Sequence, residues 1–153
     1  IYRLMGRYDL ALNDFNSSLQ SEETLFALER RGTMYRFLKR DKEALNDFSR
    51  VLQLDSRSFA AHKGCAEIYL NQNDYDKALI HMNLALQLEQ FDFSLLKGRG
   101  KVNQNLGYFE NALKDYNIAL RICQDDLEVL LNRGELYRLK LLDHNKAMQD
   151  YTK

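Results

Sequence analysis

Residues 42–55 read KEALNDFSRVLQLD, and the chain repeats the phrase along its whole length. Versions stand at 9–22 (DLALNDFNSSLQSE), 76–89 (DKALIHMNLALQLE) and 110–123 (ENALKDYNIALRIC), with a short copy, NKAMQDYTK, at 145–153. The alanines Ala11, Ala44, Ala78, Ala112 and Ala147 mark steps of 33, 34, 34 and 35 residues. Apolar residues follow each alanine at helical spacing: Phe48, Val51 and Leu52 after Ala44, and Tyr116, Ala119 and Leu120 after Ala112. Twelve residues before three of these alanines comes a small residue, Gly32, Ala66 or Gly100. Tyr35 and Tyr69 lie three further on, and these residues belong to an earlier helix. No strand-like alternation interrupts the pattern.

The pattern predicts two helices per period. First helices are expected at about 24–38, 58–71, 92–105 and 126–140. Second helices are expected at about 7–20, 41–53, 74–87, 108–121 and 144–153, with NQNDYD and NLGYFE supplying turns. A single hairpin of helices cannot cover its own apolar face, so successive hairpins must stack and share one interior.

A period near 34 with two helices per unit resembles the tetratricopeptide repeat (TPR) family, across the whole chain. In that family's pattern the eighth place is small, the eleventh Tyr, the twentieth Ala and the twenty-fourth aromatic. Here one unit has Gly32, Tyr35, Ala44 and Phe48; the next has Ala66, Tyr69, Ala78 and Met82; a third has Gly100, Asn103, Ala112 and Tyr116. The resemblance implies an all-α fold, an α-solenoid wound as a right-handed superhelix. The repeats are delimited as 1–24 (partial), 25–58, 59–92, 93–126 and 127–153 (truncated), in a single array over 1–153. Two departures stand out. The chain has no proline where the family usually ends its second helices, and the last unit carries one extra residue within LKLLDHN.

The seventh place holds Arg31, Arg99 and Arg133, and in the same units Asp47, Asp115 and Asp150 precede the aromatic place. The middle unit has Cys65 and His81 instead. Arg and Asp come and go together, which predicts the ion pairs Arg31–Asp47, Arg99–Asp115 and Arg133–Asp150.

The bulk numbers exclude several classes of function. Of 153 residues, 45% are hydrophobic and 29% charged, which is a globular rather than a disordered composition. Lys plus Arg balance Asp plus Glu at 22 each, so nucleic acid is not expected as the partner. RNA-reading repeats are disfavoured further by the lack of a recurring polar pair per unit. No apolar run approaches the roughly 18 residues of a membrane span, so no membrane association is expected. The opening IYRLMGRYD carries neither an initiator Met nor a signal-peptide pattern, and the expectation is a piece of a longer protein. Two isolated cysteines, Cys65 and Cys123, predict a reducing, cytoplasmic location.

Chemistry is scarce. His62, His81 and His144 have no metal-ligand spacing, so neither metal nor cofactor is expected. KGRGKVNQNLG is neither a dinucleotide fingerprint nor a P-loop, because its glycines fall inside a helix. Cys65 occupies a core place, which favours an inert thiol despite His62 three residues before it. The reading is a non-enzymatic scaffold.

The resemblance also implies a concave groove lined by the first helices. Carried over place by place, it would present Arg30, Arg36, Lys63, Glu67, Lys97, Lys101, Asn105 and Arg138, floored by Ala60, Gly64, Ser94 and Gly98. The basic middle of that set suits an acidic or C-terminal-carboxylate peptide. Family members that clamp chaperone C-termini carry a Lys, Asn, Asn, Lys, Arg set, which neither register of this chain matches. The alternative is a structural spacer, or a segment that associates end to end through its uncovered ends.

Overall fold

The computed structural model describes residues 2–21 and 24–150, with side chains described from 7–19 and 24–139. Among the described residues there are eight helices and no strand. They fall into two compact units, 1–90 and 91–153.

The first unit contains α1 (Tyr2–Ser21), α2 (Leu25–Phe37), α3 (Asp41–Leu54), α4 (Phe59–Asn71) and α5 (Tyr75–Leu88). Each hairpin is set by local chemistry at its ends. Thr24, Ser58 and Asp74 cap the N-termini of α2, α4 and α5, accepting hydrogen bonds from the backbone N–H groups of Ala27, Ala61 and Lys77. The turns after α2 and α4 close on Lys39 and Asn73, whose φ angles of 59° and 58° reverse the chain in the left-handed region.

Packing in this unit centres on Phe48, whose ring is 1% exposed between two glycines on neighbouring helices. A Cβ on Gly32 would lie 2.9 Å from that ring, and one on Gly64 only 2.4 Å. Leu28, Val51, Ala61, Cys65 and Ile68 complete the cluster. Burying a side chain of Phe48's size contributes about 1.5–3 kcal/mol. The period-marking Ala44 and Ala78 are 0% exposed, as helix crossings at those points require.

The second unit contains α6 (Phe93–Asn105), α7 (Phe109–Ile122) and α8 (Leu127–Asp150). Asp92 caps α6 through the N–H of Leu95, and Gly107 (φ 80°) turns the chain into α7. Tyr116 fills the position that Phe48 holds in the first unit; a Cβ on Gly100 would lie 2.5 Å from its ring. Ala112 is again 0% exposed.

Two expected breaks do not occur. The first partial unit forms one helix from Tyr2, with Gly6 inside it, where a separate second helix was expected from residue 7. At the other end α8 runs unbroken through Asp150, where a turn and a new helix were expected near 141–144. In the repeat register Lys39, Asn73 and Gly107 are followed by Leu142. A left-handed backbone costs a branched L-residue roughly 1–2 kcal/mol, so the helix continues there.

Candidate functional site

Two of the expected ion pairs are present, and both tie a first helix to its second. Arg31 donates from Nε and Nη2 to the Asp47 carboxylate at 2.8 and 2.7 Å, and from Nη1 to Asn16 Oδ1 on α1 at 2.9 Å. These hydrogen bonds to Asp47 hold the Arg31 pKa above its ordinary value, against the opposing effect of burial. Arg99 grips Asp115 in the same fork at 2.9 and 2.7 Å, and Asn103 Nδ2 adds a bond to Asp115 at 3.3 Å. Asp47 and Asp115 are buried, so the forks are structural. The third pair, Arg133–Asp150, involves a side chain outside the described residues; Arg133 donates to Asn117 Oδ1 at 2.9 Å.

In the middle hairpin a histidine pair replaces the fork. His62 Nδ1 lies 3.0 Å from His81 Nδ1, and His62 Nε2 lies 3.1 Å from the Ser56 carbonyl oxygen. A carbonyl only accepts, so His62 carries its proton on Nε2 and His81 donates from Nδ1. Burial, with the neighbouring His62, lowers the His81 pKa. Sequence reading placed His81 at the aspartate's position but weighed His62 only as a neighbour of Cys65. The available signal was that His62 stands where Leu28 and Leu96 stand in the flanking units.

The groove-facing residues of the first unit lie on α2 and α4. Arg36 pairs with Glu67 at 2.7 Å, both about a quarter exposed, and its guanidinium stacks over Phe37 at 4.6 Å. Arg30 is exposed and lies 5.0 Å over the Phe26 ring. Lys63 lies 5.6 Å over Phe59. Phe26 and Phe37 are themselves 62% and 56% exposed, at helical spacing with Arg30 and Thr33 between them. Gly64 does not floor a groove: it is buried against Phe48.

In the second unit the cations are engaged by carboxylates from α8 and its cap. Lys97 meets Glu128 at 2.7 Å and Asp126 at 3.2 Å, and Lys101 reaches Glu128 at 3.5 Å. The bond to Glu128, aided by Asp126, raises the Lys97 pKa against the effect of burial, and the bond from Lys97 lowers that of Glu128. Asp126, whose carboxylate caps α8 at the Val129 N–H, is also held low, first by that backbone bond. Arg138 pairs with Glu135 on its own helix, and Asn105 is exposed at the end of α6. Gly98, expected on the groove floor, is buried.

No group of three or more His, Cys, Asp or Glu side chains among the described residues could hold a metal ion. Burial pushes the Cys65 thiol up to about 12, far from a thiolate nucleophile. No helix among the described residues is long and apolar enough to cross a membrane.

Residues 40–101 match the family model described as "Tetratricopeptide repeat". Those residues resemble the tetratricopeptide repeat family. The fold of the array is an all-α solenoid of helical repeats. The crystal structure of MamA matches it with a TM-score of 0.81 at 18% identity, over 92% of this chain and 82% of MamA. The first tetratricopeptide domain of Spaghetti (RPAP3), bound to the HSP90 peptide SRMEEVD, matches at 0.69 and 20% identity, over 76% of this chain and 93% of that one. The Arabidopsis OM64 tetratricopeptide domain matches at 0.68 and 15% identity, over 74% and 94%. At these identities the likeness is one of fold. No curated protein matches the sequence.

Proposed function

We propose that this chain is a non-enzymatic scaffold that binds an acidic, partly apolar segment of another protein along the exposed face of α2 in the first unit. The observation that carries this reading is the strip Phe26, Arg30, Thr33, Phe37 on α2, where two large aromatic rings stand exposed with guanidiniums against them. Phe37 also stacks on Tyr8 of α1, yet both Phe26 and Phe37 keep more than half of their surface exposed. Rings that offer apolar area beside fixed cations suit a peptide alternating apolar and carboxylate side chains. The fold-level likeness to a domain bound to SRMEEVD supports an acidic ligand. Arg36 contributes less, because Glu67 already satisfies it.

The test is an array of peptides alternating Glu or Asp with Leu or Phe, set beside scrambled neutral peptides and probed with the purified chain. Selective binding to the acidic set, lost in Phe26→Ala and Arg30→Glu with helix content unchanged, is the expected result. Equal binding to both sets retires the reading. A second reading, a spacer that associates with its own kind, is favoured by Leu127 and Leu131 of α8, which are 74% and 73% exposed.

A further inference from the structure

The exposed strip on α2 has a direction. Phe26, Arg30, Thr33 and Phe37 are separated by four, three and four residues, the spacing of a single heptad seam. They run along one side of the helix axis for about 16 Å. The strip does not continue sideways. The same places of the repeat on α4 hold Ala60, Gly64, Glu67 and Asn71. Gly64 is buried against Phe48, and Glu67 is taken by Arg36 at 2.7 Å. A ligand crossing from α2 to α4 would touch at most one of the two rings, whereas a ligand running along α2 meets both.

The strip also sets a condition on the ligand's backbone. An extended segment turns peptide N–H and C=O groups towards the surface that buries it, and each one left without a partner is costly. Phe26 and Phe37 offer no hydrogen bond. Thr33 already gives its hydroxyl proton to the Glu29 carbonyl oxygen at 2.8 Å. Arg30 lies over the Phe26 ring, meets no carboxylate among the described residues, and only donates. That leaves the Thr33 hydroxyl oxygen as the one side-chain acceptor in the strip for a strand's N–H groups. An α-helix satisfies its own backbone and brings only side chains to the contact.

We propose that the occupant of this strip is an amphipathic helix of a partner protein, laid along α2 with apolar side chains against Phe26 and Phe37 and a carboxylate on Arg30. This occupant rests on the acidic-ligand reading of the strip and adds the ligand's conformation and spacing. Its apolar anchors stand eleven residues apart, as Phe26 and Phe37 do, with the carboxylate four residues from one and seven from the other. Apolar and acidic side chains then alternate by the turn and not by the residue. Arg30 fixes the register, because a helix shifted along the seam would bury the guanidinium unpaired against an apolar side chain.

Three labelled peptides test it by fluorescence anisotropy with the purified chain. All carry Leu at positions i and i+11. The first has Glu at i+4 and i+7, a pattern that reads alike in either direction, and outward-facing side-chain bridges that hold it helical. The second replaces the bridges by a Pro at an outward-facing place in the middle. The third is the bridged helix with Gln for both Glu. The bridged Glu helix is expected to bind about tenfold or more tighter than either control. Arg30→Glu should abolish that advantage, and a bridged helix with Lys for both Glu should bind the variant instead. A Pro-broken peptide that binds as tightly as the bridged helix overturns the helical occupant and leaves the acidic-ligand reading standing. A Gln helix that binds as tightly as the Glu helix, or no binding by any peptide, sinks the acidic-ligand reading and the helix with it. Failure of the charge swap overturns the placement of the carboxylate on Arg30. A second measurement needs no variant of the chain: circular dichroism of the unbridged Glu peptide should gain helical signal on mixing with the chain. A spectrum equal to the sum of the two components at saturating peptide counts against a helical occupant.

Discussion

Arg99 holds Asp115 by two parallel hydrogen bonds, 2.9 and 2.7 Å long, with the carboxylate almost wholly out of water. Arg31 and Asp47 repeat the arrangement in the other unit. Such a pair contributes little net stability when compared with apolar residues of the same shape, but breaking it strands a buried charge. Asp115→Asn and Arg99→Met are therefore each expected to cost about 3–5 kcal/mol in chemical denaturation. The double replacement Arg99→Met with Asp115→Leu should recover most of that loss. Single losses that simply add in the double variant would mean the two groups do not act as a pair.

The glycines Gly64 and Gly100 are set by rings rather than by turns. Alanine in a helix gains about 1 kcal/mol over glycine, but overpacking a closed core costs about 1–3 kcal/mol. Here the added Cβ would stand 2.4 Å from Phe48 or 2.5 Å from Tyr116, rings held on all sides. Gly64→Ala and Gly100→Ala should therefore lower stability by up to about 2 kcal/mol net. Gly134→Ala, which meets nothing within 4 Å, should raise it by about 0.5–1 kcal/mol in the monomeric chain. Thermal melts of the three variants at low protein concentration give the comparison.

How much of this was legible in the sequence depends on whether a residue's partner recurs with it. Ala44, Phe48, Ala112 and Tyr116 recur in step, so the hairpins and their crossings could be read directly. Arg31 with Asp47 and Arg99 with Asp115 could be read because each pair appears and disappears as a unit. Gly64 was misread because its partner, Phe48, lies on the preceding hairpin, and contacts across hairpins leave no mark within one period. The same holds for Lys97 with Glu128 and Arg36 with Glu67, pairs 31 residues apart that join neighbouring first helices. Counting cations alone made the groove face look more basic than its paired side chains leave it. The unbroken α8 was missed because periodicity describes which residues resemble each other, not whether Leu142 can adopt the turn that Gly107 adopts.

The histidine pair gives the fold a dependence on pH near neutrality. His81 has a folded pKa below its ordinary 6.5, because burial and His62 disfavour the imidazolium. Between the folded value and 6.5 the unfolded chain binds more protons than the folded one, so stability rises with pH through that window. Urea midpoints of the unmodified chain are expected to fall as pH drops from 7.5 to below 6.5, and His81→Gln should flatten that part of the curve. An unchanged slope in the variant would assign the effect to other groups.

A second, more acidic window comes from the α6–α8 contact. Glu128 and Asp126 both have folded pKa values below their ordinary 4.5 and 3.8, the first through its bond from Lys97 and the second through the Val129 N–H with Lys97 behind it. For a depressed carboxylate the stabilisation is fully present above the unfolded pKa and is lost as pH falls through the folded one. The second unit should therefore lose stability below about pH 4.5, in a step separate from the histidine window. Lys97→Met removes the leading partner of Glu128 but leaves the backbone cap on Asp126 intact. The variant should keep the part of the acid step due to Asp126 and lose the part due to Glu128, whereas Asp126→Ser, which still caps α8, should do the reverse. Both carboxylates are solvent-facing enough for salt to screen the Lys97 contribution, so adding salt should shrink the Glu128 step while leaving the capping contribution largely in place. Fluorescence-detected melts across pH 3 to 6 at low and high ionic strength would resolve the two components, and a step insensitive to both Lys97→Met and salt would assign it elsewhere.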